Sequence, residues 1–154
     1  MSGVVKLVQG NMLHHALMTA AMAHDRQVDK SGMPYILHVF RVVDRVKGIA
    51  AKQAAALHDV LEESDLTAGE LVEAGYTTEV VDAVKALTRM AGETYAEYIV
   101  RVRQNSLATE VKLADLRDNL DRLTTLIDPT GTLRNRYTRA LAILRGDLGV
   151  PLPD

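Results

Sequence analysis

The placement of proline constrains this chain more than any other feature. Its four prolines fall at positions 34, 129, 151 and 153, so no helix-breaking residue of that kind lies between Tyr35 and Asp128. Within that span apolar residues recur at helical spacing. Val80, Val81, Val84 and Leu87 form one stripe; Tyr95, Tyr98, Ile99 and Val102 a second; Leu113, Leu116, Leu120 and Leu123 a third. No run alternates strictly, as a half-buried strand would. The pattern predicts an all-α fold, a single bundle of about eight helices.

The breaks between helices are also readable. Lys30-Ser31-Gly32 ahead of Pro34 reads as a loop, with Pro34 near the first turn of the next helix. Gly48 is expected to end that helix. Thr67 and Glu70 have the spacing of a capping box, Thr77 or Thr78 is expected to cap the following helix, and Gly92-Glu93-Thr94 marks another start. Asp128-Pro129-Thr130-Gly131 reads as a turn before a last helix over about 133–145. One domain over 1–149 is expected, with an extended or disordered tail at 150–154. Met12, Met18 and Met22 read as core filling.

Composition narrows the function classes. A formal net charge of -2 points to neither nucleic acid nor an anionic membrane as partner, so a phosphate-bearing ligand needs a local cluster of Lys and Arg. The absence of cysteine excludes disulfides, thiolate zinc sites and Cys nucleophiles. The first residues do not read as a signal peptide, and no apolar run is long enough to span a bilayer. A cytoplasmic location is expected.

Three segments carry chemistry. In Ala54-Ala55-Ala56-Leu57-His58-Asp59-Val60-Leu61-Glu62-Glu63-Ser64, a continuous helix would place His58, Asp59, Glu62 and Glu63 within an arc of about 140°, with Ala54, Leu57 and Leu61 on another side. An imidazole among three carboxylates is costly if buried without a cation. Alone, the same pattern reads equally as a solvated acidic face. In Val111-Lys112-Leu113-Ala114-Asp115-Leu116-Arg117-Asp118-Asn119-Leu120, residues Lys112, Asp115 and Asn119 share a face that suits a metal ligand beside a phosphate-binding group. Alone, this is as well explained by a surface ion pair worth about 0.3 kcal/mol. In Asp29-Lys30-Ser31-Gly32-Met33-Pro34-Tyr35-Ile36-Leu37-His38, a loop running into a helix can bind an anion through its backbone N–H groups, and His38 lies one turn into the helix. A lone histidine there is more often structural than a ligand.

Together, KSGMPYILH, HDVLEES and VKLADLRDN resemble three motifs of the HD-superfamily metal-dependent phosphohydrolases. The likeness is strongest to the hydrolase domain of RelA/SpoT-type alarmone enzymes and their small stand-alone relatives. It extends from about residue 16 to 144, with the motifs in the same order. The resemblance implies metal ligands at His38, His58, Asp59 and Asp115, usually for manganese, and catalytic carboxylates at Glu62 and Glu63. It implies substrate contacts at Lys30, Ser31, Lys112, Asn119 and Arg136. It also implies a pyrophosphohydrolase acting on a nucleotide, (p)ppGpp or a related alarmone, by attack of a water whose pKa the metal lowers. A phosphohydrolase for another phosphorylated small molecule and a catalytically silent nucleotide-binding module are the alternatives. The four ligand types and both carboxylates argue against the silent module.

The chain departs from the pattern in places. Asp29 stands where the alarmone hydrolases carry an arginine that packs on guanine, so weak base discrimination is expected, along with repulsion of nearby phosphates. Glu63 replaces an aspartate, and Val39 follows His38 where proline is frequent. The family's separate synthetase domain does not fit in 154 residues, so no pyrophosphate transfer from ATP is expected. His14 and His15 read as structural, and His24 as a residue meeting the negative end of the first helix. Arg101 and Arg103 are remote candidates for phosphate contact.

Overall fold

The computed structural model describes residues 12–146. The predicted tail at 150–154 and the first residues lie outside that range. Among the described residues the chain forms nine helices: α1 (Leu13–Ala23), α2 (Ile36–Arg45), α3 (Ile49–Leu57), α4 (Val60–Glu63), α5 (Ala68–Ala74), α6 (Thr78–Leu87), α7 (Tyr95–Arg103), α8 (Ser106–Asp121) and α9 (Thr132–Arg145). The fold is all-α, and extended pairing among these residues is limited to one isolated bridge between Val28 and Pro34. No helix among them is long and apolar enough to cross a membrane.

The caps follow the chemistry of the sequence. Thr67 accepts from the Glu70 N–H while Glu70 reaches back to Thr67, and Thr94 and Glu97 repeat the arrangement at α7. Each pair satisfies two otherwise orphaned donors, a contribution of about 1 kcal/mol per cap. Thr77, rather than Thr78, caps α6. Gly48 does not end α2, which stops at Arg45; it precedes α3 at φ 82°, a conformation that costs a glycine nothing.

α3 is the centre of the bundle. Ala51, Ala54, Ala55, Ala56 and Leu57 are buried there, and α1, α2, α6 and α8 all pack on it. Alanine favours the helix and its small side chain lets four neighbours approach closely. The predicted stripes face this core: Val80, Val84, Leu87, Ile99, Val102 and Leu116 are buried. α9 closes the bundle against α7 and α8. Two of the three methionines assigned to the core do not enter it. Met12 packs partly buried against the core, but Met18 and Met22 are 64% and 78% exposed, because α1 buries its Ala16 and Ala20 face instead.

Candidate active site

Two breaks in the helical chain build the site. α3 does not continue through residue 64. It stops at Leu57, His58 forms its C-cap, and Asp59 precedes the single turn of α4. His58 donates from Nδ1 to the Ala55 carbonyl at 2.7 Å, which directs its Nε2 away from its own helix. His38, in the first turn of α2, donates from Nδ1 to Asp118 Oδ2 at 2.6 Å, and its Nε2 also points inward. In both rings a bond at Nδ1 leaves Nε2 as the inward lone pair.

The two rings lie 5.5 Å apart, centre to centre. His38, His58 and Asp59 each offer one ligand atom, all within 4.8 Å of one another. Asp115 joins from α8: its Oδ1 lies 3.1 Å from His38 Nε2 and 3.8 Å from His58 Nε2. Asp59 Oδ2 lies 3.1 Å from His58 Nε2. Both Nε2 atoms are buried without a hydrogen-bond partner. Orphaned imidazole nitrogens facing carboxylate oxygens are costly unless a cation lies between them. Two imidazoles and two carboxylates are also a donor set suited to a first-row divalent metal.

The surrounding carboxylates also favour a positive charge at this spot, which a proton on His58 supplies where no metal is bound. Burial alone would lower the pKa of His58, but Asp59 and Asp115 outweigh it and push it up to about 9. Burial opposes the charges of Asp59 and Asp115 as well. His58 nonetheless holds Asp59 below the usual carboxylate range, and Lys112 holds Asp115 well below it. Lys112 Nζ sits 2.7 Å from Asp115 Oδ2, and that carboxylate keeps the ammonium well above its ordinary pKa despite burial. Asn119 donates to Asp115 Oδ1 at 2.9 Å. The Tyr35 hydroxyl donates to Asp59 Oδ2, and burial, with Asp59 nearby, raises the phenol pKa so that it stays a donor.

Glu62 stands at the rim. The residue is solvent-exposed, yet partial desolvation of its carboxyl raises its pKa, countered in part by a 2.6 Å hydrogen bond from the Arg89 N–H. Asp59 and Lys112 both act on it electrostatically. The loop bearing Arg89 is held by Arg101, whose guanidinium grips the Glu93 carboxylate at 2.7 and 2.9 Å and the carbonyls of Ala86 and Thr88. Arg101 is thereby a loop anchor and not a free phosphate contact.

Beside the cluster of His38, His58, Asp59 and Asp115 opens a cleft of about 200 Å³ lined by residues that include Asp29, Lys30, Ser31, Tyr35, Asn119 and Arg122. Its loop is a small hairpin closed by Asp29 N–H to Met33 O at 2.8 Å and Tyr35 N–H to Gln27 O at 2.9 Å. The loop amides expected to bind an external anion are already engaged. Asp29 Oδ1 accepts from the Ser31 N–H, the Ser31 hydroxyl and the Met33 N–H, at 2.8, 2.6 and 3.0 Å. Its other oxygen pairs with Arg122 Nη1 at 2.9 Å. Burial works against the Asp29 charge, but these bonds and Arg122 hold its pKa low. The expected repulsion of phosphate by Asp29 is therefore blunted by its own cation.

No family model matches the chain. It is 30% identical, over 91% of its length, to the guanosine-3′,5′-bis(diphosphate) 3′-pyrophosphohydrolase of Vibrio cholerae. It is 30% identical over 81% of its length to the protein of the same name from Haemophilus influenzae, and 32% identical over 72% to that of Aquifex aeolicus. The chain spans 21%, 20% and 18% of the lengths of these three relatives. Among solved structures, that of a metazoan ortholog of SpoT that hydrolyzes ppGpp superposes with a TM-score of 0.71 at 24% identity, covering 92% of this chain and 89% of that one. The chain is thus similar to one stretch of the SpoT-type hydrolases. It shares its fold with the solved structure.

Against the SpoT-type pattern, the structure brings His38, His58, Asp59, Asp115, Lys112 and Asn119 into one network, with Glu62 at its edge. Lys30 and Ser31 line the adjoining cleft, although the Ser31 hydroxyl is spent on Asp29. Glu63 is exposed, and its charge reaches the site only by helping to raise the Glu62 pKa. Arg136 lies over the Tyr95 ring at 5.4 Å, and Tyr95 in turn feels Lys112 and Asp115. Sequence reasoning missed Tyr35, Asp118, Arg122 and the Arg89 amide. Asp118 had a detectable signal, three residues after Asp115 on the same helix.

Proposed function

We propose that this chain is a metal-dependent 3′-pyrophosphohydrolase acting on ppGpp or a close analogue. The observation that carries the reading is the pair of buried, unpartnered Nε2 atoms on His38 and His58, converging with Asp59 and Asp115. Those four residues would hold the cation, manganese by the family resemblance. When bound, a divalent cation there supplies Lewis-acid activation of water near neutral pH.

The remaining work falls to the chain's own groups. Glu62, its pKa raised by desolvation, takes the proton of the attacking water. Water adds to the phosphorus on the ribose 3′ oxygen, the P–O3′ bond breaks, and the 3′ oxygen regains a proton, giving GDP and pyrophosphate from ppGpp. Lys112 carries a secure positive charge beside Asp115 and offsets charge on the departing diphosphate. Tyr35 and Asn119 orient Asp59 and Asp115. Lys30, and Arg136 more remotely, meet phosphate from the rim.

The test is direct. Purified protein with Mn²⁺ should release pyrophosphate from ppGpp, and Asp59→Ala should lose metal and activity together. Stoichiometric manganese binding with no turnover of any nucleotide would instead leave a binding module, and failure of the parent to bind metal would overturn the assignment. Base preference is a separate point: Asp29 is committed to the loop and to Arg122, so we expect modest discrimination between guanine and adenine.

A further inference from the structure

Arg122, at the C-cap of α8, bonds an acceptor supplied by the protein through each of its three guanidinium nitrogens. Nε bonds Asp118 at 3.0 Å, Nη2 bonds Asn119 Oδ1 at 2.6 Å and Nη1 bonds Asp29 at 2.9 Å. The first two acceptors lie on the same helix. The third is brought in from a loop that is distant in sequence. Asp29 is held there firmly, its side chain only 5% exposed. It places one carboxylate oxygen on two backbone N–H groups and a hydroxyl and the other on a guanidinium, the donor set that usually receives a phosphate.

We propose that Asp29 is an internal anion that fills a phosphate-type site in the cleft, and so decides which end of a nucleotide can lie there. The local charges support this. Arg41, Arg45 and Arg122 are balanced by Asp118, Asp121 and Asp29 through contacts of 2.7 to 3.7 Å. With Asp29 ionised, the group is neutral, and an incoming phosphate finds these donors taken. Without that one charge, the group is cationic, with Lys30 adding a further ammonium at the cleft. The rest of the cleft wall is largely uncharged, with Val28, Leu123, Ile127 and Tyr137 beside Asn119 and Gln27. A neutral, flat portion of a ligand suits that wall. The phosphates are thereby turned toward Lys112 and the metal-ligand cluster. The inference deepens the proposed function by fixing substrate orientation, and its test runs without metal so that the two stand or fall separately.

The experiment titrates inorganic pyrophosphate into the full chain in EDTA, by calorimetry. Asp29→Asn keeps an oxygen for the Ser31 and Met33 amides, and puts an NH2 in place of the oxygen that accepts from Arg122, so the guanidinium loses both its acceptor and its countercharge. We expect it to bind pyrophosphate about 10-fold or more tightly than the parent, in line with a charge-assisted bond to a freed guanidinium. Asp29→Asn combined with Arg122→Gln should return to parental affinity. Unchanged affinity in Asp29→Asn, or a gain that persists in the double variant, would overturn the proposal. Should Asp29→Asn not fold by circular dichroism, Asp29→Ser supplies the same comparison with a smaller neutral acceptor.

Discussion

His38 and Asp118 form a buried pair in which the imidazole donates from Nδ1 to a carboxylate that is only 1% exposed. Arg41 holds the other oxygen of that carboxylate at 2.7 Å, and Arg122 approaches the first at 3.0 Å. The ring therefore cannot turn without breaking an ion-pair network. A carboxylate on the far nitrogen also makes the near one a better ligand. We expect Asp118→Asn to weaken Mn²⁺ binding by about 10- to 100-fold. Electron paramagnetic resonance of free Mn²⁺ in a titration measures this, and an unchanged dissociation constant would remove Asp118 from the metal's support.

Glu62→Gln separates binding from chemistry. Gln keeps an acceptor for the Arg89 amide but cannot take a proton. Manganese affinity should hold while kcat falls by about 100-fold or more. The raised pKa of Glu62 sets the sign of the pH dependence. The rate should climb with pH along a limb lying above the ordinary glutamate value, and the variant should lose that limb. A variant with parental kcat would end the catalytic assignment.

Metal removal should register in stability as well as in rate. A ligand at about 100 times its dissociation constant adds roughly 2.7 kcal/mol to the folded state. EDTA should accordingly lower the Tm of the parent by several degrees, and leave that of His58→Ala unaltered because it holds no metal to lose. Equal Tm shifts in both would place the stabilising ion elsewhere.

Glu93 offers a pH test away from the metal ligands. Its hydrogen bonds and ion pair with Arg101 lower its pKa in the folded state. A depressed carboxylate adds stability above its unfolded pKa and surrenders it as pH falls through the folded one. The parent should thus lose stability below the ordinary glutamate range more steeply than Glu93→Gln, as read from urea midpoints across pH. The same variant should lower kcat, since the loop it releases carries the Arg89 amide. Parallel pH profiles would contradict the assignment.

Base selectivity can be read from specificity constants for guanine and adenine forms of the same 3′-diphosphate nucleotide. Loss of a desolvated stacking cation narrows a preference by about 5- to 30-fold. A guanine preference above about 100-fold would mean that a residue other than position 29 reads the base. Asp29→Arg is a poor way to restore such a cation, because it removes the acceptor that closes the loop.

Local patterns in the sequence account for the bundle. The proline-free span, the Thr67–Glu70 box and the valine stripe of α6 depend only on neighbours a few residues apart, and propensity acts at that range. The positions of His38, His58, Asp59 and Asp115 were legible as motifs. The partners of those residues were not. Tyr35 reaches Asp59 across 24 positions, Asp118 reaches His38 across 80, and Arg122 reaches Asp29 across 93. Such pairings follow from how helices dock, which periodicity does not encode. The break at His58 was hidden for a related reason: Ala54 to Ser64 has good helical spacing, and only the pull of the Ala55 carbonyl on the imidazole shows where the helix stops.

The hold on Glu62 comes from the main chain at position 89, and an amide is indifferent to the side chain beside it. Proline at 89 would remove that donor outright. The Arg89 side chain works on the loop instead, its guanidinium bonding the Glu93 carbonyl at 3.0 and 2.8 Å. The loop's shape has little freedom, since shifting the amide would release the proton acceptor. Over evolutionary time, the pressure that keeps this reaction running would then fall on Arg89, Glu93 and Arg101, whose side chains are bonded within the loop.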